Sequence, residues 1–384
     1  MSWLMMMAAA TVAQAPVPAV TTLDGRTLAP AAVSAEVERL RLAAGVPGLA
    51  VAVIADGRPV LVQGHGLREV AKDLPVTPDS VFTGASLTKA TFAYMVMQLV
   101  DEGKIDLDTP IARYLPKPLP DYERYADLAG DPRWQALTFR MLLSHTTGFA
   151  NYAWLEPDEK LRIHWQPGSR YGYSGEGINL AQFVLEEGFG LDVGAEMQRR
   201  VFTPLGMATT SMTWRDDFER NFVAGYDADG KRLGHKVRQR VRAAGSMDTT
   251  PGDYARFLAA VSTGKGLSPA ARAEMLKTQI AIDSEVQFPT LDPRRTDRWR
   301  GIGLGYGLGW GRFETRWGPA WFKEGHDDGA ANYAICVDAK AGSRCVLVMA
   351  SSLNGEAIFA PLVDYLLGPV GLPVEWEVFP PAPK

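Results

Sequence analysis

Ser86 and Lys89 stand three residues apart in Gly84-Ala85-Ser86-Leu87-Thr88-Lys89, at the opening of a strong helix pattern that runs to Glu102 and is closed by Gly103. That spacing puts both side chains on one helix face. Close to a helix N-terminus the backbone amides and the macrodipole favour an emerging alkoxide, and a partly desolvated lysine loses its proton near neutral pH. The pair therefore offers a hydroxyl nucleophile with its own base, the requirement for acyl transfer through a serine ester. Standing alone, Ser-x-x-Lys is a common pattern of a helix start followed by a surface lysine, so the elements around it must decide.

Other chemistries fit less well. The five histidines, His65, His145, His164, His235 and His326, form no His-x-x-x-His pair and no His/Cys cluster, and Ser86 lacks Gly-x-Ser-x-Gly surroundings. A catalytic metal and a Ser-His-Asp elbow are both disfavoured. No cofactor is called for. Forty basic and 44 acidic side chains are well mixed, with no basic stripe for nucleic acid. The two cysteines, Cys336 and Cys345, flank a turn-rich stretch between two apolar runs, a spacing open to a cross-strand disulfide or to two small buried thiols.

The elements that must position Ser86 and Lys89 follow from periodicity. Ser34 to Ala44 reads as an amphipathic helix, and Gly48 to Ile54 and Val60 to Gly66 as strands joined around Asp56-Gly57. From Ile105 to about Arg240 short helices alternate with Pro and Gly breaks. A helix follows at Thr250 to Ser262, then β character at Gly305 to Phe313, Asn332 to Val337 and Arg344 to Ala350, and a last helix near Phe359 to Leu367. Strands at both ends with helices between give an α+β arrangement rather than a parallel α/β one. The Arg-rich Asp292 to Arg300 reads as an exposed loop.

Ser86-Leu87-Thr88-Lys89 with Gly103-Lys104-Ile105-Asp106-Leu107-Asp108 resembles the first signature of the class C β-lactamase and penicillin-recognising serine hydrolases. Leu142-Leu143-Ser144-His145-Thr146-Thr147-Gly148, Pro204-Leu205-Gly206-Met207, Ala243-Ala244-Gly245-Ser246-Met247 with Thr250 and Asp253, and Tyr306-Gly307-Leu308-Gly309-Trp310 extend the resemblance in consistent order, from about Ser34 to Asn354. It implies a β-lactamase/transpeptidase-like fold, an antiparallel sheet flanked by helices with a mostly helical insertion. It also implies that Tyr173, after Pro167-Gly168, is the second base, with Tyr171 the alternative match and nearby lysines lowering its pKa. Lys323-Glu324-Gly325 then fills the third motif, with Lys323 as fixed charge and the backbone N–H groups of Ser86 and His326 as the oxyanion hole. Gly175, Glu324, Gly325 and His326 are the implied substrate contacts, and His145 a structural hydrogen-bonding residue.

Two departures bear on substrate. The family's Tyr-x-Asn reads Tyr173-Ser174-Gly175 here, so the amide that binds an acylamino carbonyl is missing, a loss of about 1 to 3 kcal/mol if its partner is left buried and unpaired. Glu324, followed by Asp327 and Asp328, adds negative charge and disfavours anionic substrates if it faces the pocket; strand alternation leaves open that it points away. The expectation is an acyl-enzyme hydrolase of carboxylic esters or amides, an esterase or D-amino-acid-type peptidase ahead of a β-lactamase, or a non-turnover penicillin-binding or sensor relative. Its substrate is a small molecule or short peptide. Residues 1–15 end in Ala13-Gln14-Ala15 and read as a signal peptide, giving a periplasmic or secreted protein. Residues 16–33 form an extension, 34–82 and 241–384 a sheet domain, and 83–240 a helical domain. No other stretch is long and apolar enough to span a bilayer.

Overall fold

A computed structural model describes residues 18–381; the leader expected at residues 1–15 lies outside them. Nine antiparallel strands form the main sheet. In spatial order they are Leu74–Pro75, Arg58–Glu69, Gly48–Ala55, Gly342–Ala350, Ala330–Ala339, Gly318–Asp327, Gly311–Thr315, Gly305–Tyr306 and Ile280–Ala281. The two ends of the chain meet where Gly48–Ala55 pairs with Gly342–Ala350, register Val51 to Val348. The fold is α+β, a sheet covered by helices on both faces.

Alternation of side chains sends successive residues to opposite cores. Val51, Val53, Phe322, Tyr333, Val346 and Val348 face the helices Pro30–Ala43 and Glu356–Leu367, while Ala52, Ile54, Trp321, Ala334 and Leu347 face Leu87–Asp101 and Pro251–Thr263. The helix Leu87–Asp101 is apolar nearly all round, and twelve of its fifteen residues are buried, as expected of a helix enclosed by its neighbours. It is the rigid axis on which Ser86 and Lys89 sit. Cys336 and Cys345 lie directly opposite each other in the Ala330–Ala339 and Gly342–Ala350 ladder and are joined as a disulfide.

The sequence expectation of one strand over Gly305 to Phe313 breaks in the middle, where Gly307 N donates to Trp310 O across a turn. The cause is packing: Gly309 adopts φ 83°, and a Cβ there would come within 2.5 Å of Ala93 on the Ser86 helix. Farther on, the chain turns back beneath the sheet: Trp376 is fully buried, and Tyr333 donates its hydroxyl to Glu377 at 3.1 Å.

Candidate active site

Ser86 caps the helix Leu87–Asp101, and its side chain makes no capping hydrogen bond. A serine at this place ordinarily gives its oxygen to a first-turn amide; here the hydroxyl is left for another partner. Ala85, just before it, is held at φ 46°, a left-handed conformation that costs a non-glycine residue energy and recurs at functional sites. Lys89 lies one turn on and is wholly buried, with Nζ 2.8 Å from Ser86 Oγ and a hydrogen bond donated to Ala244 O at 2.6 Å. Burial holds the Lys89 ammonium well below the ordinary lysine value; the charge of Lys323 adds to this, and Glu324 opposes it.

Tyr173 is placed by the helix that follows it. Ser174 caps Gly175–Phe189 by accepting from Gly177 N at 3.0 Å, and Ser174 N donates to Nδ1 of the buried His145. The His145 ring lies 4.4 Å from that of Tyr173, so this histidine supports the tyrosine from behind. Lys323 Nζ donates to Tyr173 Oη at 3.2 Å, and Lys89 and Lys323 stand 5.0 and 4.8 Å from the centre of its ring. The alternative, Tyr171, packs instead against Tyr306 and Trp376. One expectation is corrected here: the Tyr173 phenol is not lowered by its lysines but raised well above the ordinary value by burial and by Glu324, with the Ser86 hydroxyl pulling the other way. It is protonated at neutral pH.

Lys323 and Glu324 are both buried on the strand Gly318–Asp327. Glu324 does not line the cleft. Its Oε1 accepts from Lys323 at 2.8 Å and from Gln287 at 2.8 Å. Burial would raise this carboxyl, but the Lys323 ammonium holds it below the ordinary value. Asp327 and Asp328 are likewise occupied, by Lys236 and, for Asp327, by Arg238. The negative charge that argues against anionic substrates is thus neutralised or turned away.

Gly325 is required by close approach: a Cβ would lie 2.8 Å from Gly84 O, 3.0 Å from Leu87 N and 3.2 Å from Ser86 N. The strand Gly311–Thr315 pairs only as far as Phe322, so beyond it the strand edge at residues 323–327 is open to the Ser86 turn. His326 reaches the cleft, but its ring is 3.4 Å from Glu356 and beside Phe379. Gly175 does not line the cleft either, because Tyr152 is in the way: a Cβ on Gly175 would lie 2.5 to 2.8 Å from the Tyr152 ring and hydroxyl.

Ser86 opens onto a cleft of about 590 Å³ whose walls include Tyr152, Trp154, Asn179, Ala244, His326 and the stretch Lys236 to Arg242. Several of these escaped the sequence reading. Asn179 had a findable signal, since it stands four residues after Gly175 on the same helix and therefore on the same face. Tyr152 and Trp154, stacked with ring centres 4.0 Å apart, lie in a stretch without periodicity. Among the described residues no group of three or more His, Cys, Asp or Glu is arranged to hold a metal ion, and no helix is long and apolar enough to cross a membrane.

Comparison with known proteins identifies relatives of this fold. The chain is 28% identical to penicillin-binding protein 4 of Amycolatopsis lactamdurans over 374 residues, 90% of this chain and 91% of that one. Among solved structures, a D-alanine carboxypeptidase AmpC from Burkholderia cenocepacia superposes with a TM-score of 0.66 at 20% identity, covering 83% of this chain and 93% of that one. An octameric penicillin-binding protein homologue from Pyrococcus abyssi does so with a TM-score of 0.68 at 21% identity, covering 84% and 73%. The Beta-lactamase family model matches residues 32–366, and the chain belongs to that family of serine hydrolases.

Proposed function

We propose that the protein hydrolyses carboxylic esters or amides through an acyl-enzyme on Ser86, and that it is an esterase or D-amino-acid-type peptidase before it is a β-lactamase. The observation that carries this reading is the buried Lys89 amine 2.8 Å from the Ser86 hydroxyl, with burial depressing its pKa. Neutral Lys89 takes the Ser86 proton as Oγ attacks the carbonyl carbon. The developing oxyanion is bound by the N–H groups of Ser86 and His326, each such donor worth about 3 kcal/mol. Tyr173, a neutral phenol bonded to Lys323, gives its proton to the leaving group as the carbonyl C–O or C–N bond breaks, and the proton that Lys89 took from Ser86 restores it, returning Lys89 to the neutral amine. Water then attacks the acyl-enzyme by the reverse route, and no cofactor enters.

The ester or peptide preference is supported by Tyr152, which fills the space beside Gly175 where an acylamino-binding amide would project. The disulfide supports an oxidising, periplasmic or secreted location. The test is a parallel assay of a p-nitrophenyl ester, a chromogenic cephalosporin and a D-aminoacyl anilide on wild type, Ser86→Ala and Lys89→Ala. Turnover of the ester or anilide, lost in both variants, is expected. Activity surviving in Ser86→Ala on every substrate overturns the reading. A fluorescent penicillin that labels Ser86 and stays for hours without product identifies a non-turnover binding protein instead.

A further inference from the structure

The cleft has one wall whose charge is not answered within the protein. Lys236 is engaged by Asp327 and Asp328, and Arg238 by Asp327 and Asp248. Arg240 and Arg242 line the same cleft, are exposed, and, among the described residues, make no ion pair and no side-chain hydrogen bond. The acids nearest this wall are already occupied: Glu176 faces Arg124 at 3.6 Å and accepts from Ala153 N, and Glu186 accepts from Gln182. Arg242 is close enough to the Tyr152 phenol to act against its upward shift, which burial dominates. The stacked Tyr152–Trp154 pair supplies an apolar face next to the two guanidiniums.

We infer that Arg240 and Arg242 form a subsite for a carboxylate carried on the acyl part of the substrate, joined to the reacting carbonyl by a short apolar chain that lies on Tyr152 and Trp154. The assignment to the acyl part follows from Gly175. The wall of Tyr152, Asn179, Arg240 and Arg242 is continuous with the place where an acyl-binding amide would stand. Planar guanidiniums bind carboxylates in bidentate fashion, which selects for an anion at a set distance rather than for charge alone. The inference rests on the hydrolase reading above and narrows its substrate class.

The test compares mono-p-nitrophenyl glutarate with the neutral p-nitrophenyl valerate, which share a five-carbon acyl chain and a leaving group. Wild type is expected to favour the glutarate ester in kcat/KM by about 10-fold or more, the range for one to two charge-assisted hydrogen bonds. That preference should shrink as salt rises, because the subsite is exposed. The double variant Arg240→Gln/Arg242→Gln should lose it, and Arg240→Lys/Arg242→Lys should keep part of it. A wild-type ratio at or below one, or a ratio unchanged in the Gln variant, overturns the subsite while Ser86-dependent valerate hydrolysis leaves the hydrolase reading standing. If neither ester turns over, free glutarate should still slow fluorophosphonate labelling of Ser86 in wild type and not in the Gln variant; equal protection in both overturns the subsite.

Discussion

Replacing Glu324 by Gln keeps the shape beside Lys323 and removes its charge, and it should move the whole pH–rate profile toward acid. Lys89 and Lys323 lie 5.0 and 4.8 Å from the centre of the Tyr173 ring, and the Glu324 carboxylate is 2.8 Å from Lys323. The carboxylate is therefore at most about 13 Å from Lys89, where a unit charge at an effective dielectric of about 20 is worth at least about 1.3 kcal/mol, or about one pH unit. Glu324 raises Lys89, so its loss lets Lys89 shed its proton at lower pH and shifts the acid limb down by about one unit. Lys323 is lowered by burial and held up by the same carboxylate. Removing one partner of a buried pair costs about 3 to 5 kcal/mol, so the alkaline limb, where Lys323 becomes neutral, should fall by about two to four units. Linkage gives an independent reading. With Lys323 depressed further below its unfolded value, the unfolded state binds more protons between the two, so the variant's deficit in stability should be largest at neutral pH and shrink as pH rises toward 10.5. The assay is kcat/KM on a p-nitrophenyl ester from pH 5 to 10, with urea unfolding at each pH. Limbs that stay within about 0.3 units of wild type in a folded Glu324→Gln protein would refute the electrostatic coupling.

Three further outcomes follow from the geometry. Gly325→Ala places a methyl 2.8 to 3.2 Å from Gly84 O and from the amides of Leu87 and Ser86; kcat should drop at least about 10²-fold through the displaced oxyanion donors, and retention of wild-type kcat would remove Gly325 from that role. Gly175→Asn alone should not gain cephalosporin turnover because its side chain meets Tyr152, whereas Gly175→Asn with Tyr152→Gly should exceed wild type; equal rates in all three proteins would show that the missing amide is not what limits that substrate. Reduction of Cys336–Cys345, which closes a sequence separation of 9, should lower unfolding free energy by about 2 to 3 kcal/mol on the chain-entropy account, read as a lower urea midpoint with and without dithiothreitol.

Strand and helix identities were legible where an apolar run of the right length was closed by turn residues, as in the eight residues Gly48–Ala55 before Asp56-Gly57 and the fifteen residues Leu87–Asp101 before Gly103. Sequence could place Ser86 against Lys89 because a helix fixes the geometry of a three-residue step. It could not place Glu324, whose direction depends on whether Lys323 and Gln287 are near enough to hold it. Nor could it set the proton on Tyr173: the lysines were visible in the chain, but burial, which outweighs them, is a property of the packed site. The cleft wall from Lys236 to Arg242 was hidden for another reason, since an irregular segment carries no period from which to read a facing direction.

The pairing of the first long strand with the last has a consequence in time. Gly48 and Ser351, bonded through the serine hydroxyl, are 303 residues apart. At about 5 to 20 residues per second of synthesis, roughly 15 to 60 s pass between the appearance of the two strands. Throughout that interval the Ser86 helix is made, but the sheet that buries Lys89 and brings up Lys323 cannot close. The nascent chain thus carries the Ser86–Lys89 pair without its Lys323 partner strand until its C-terminal third is available.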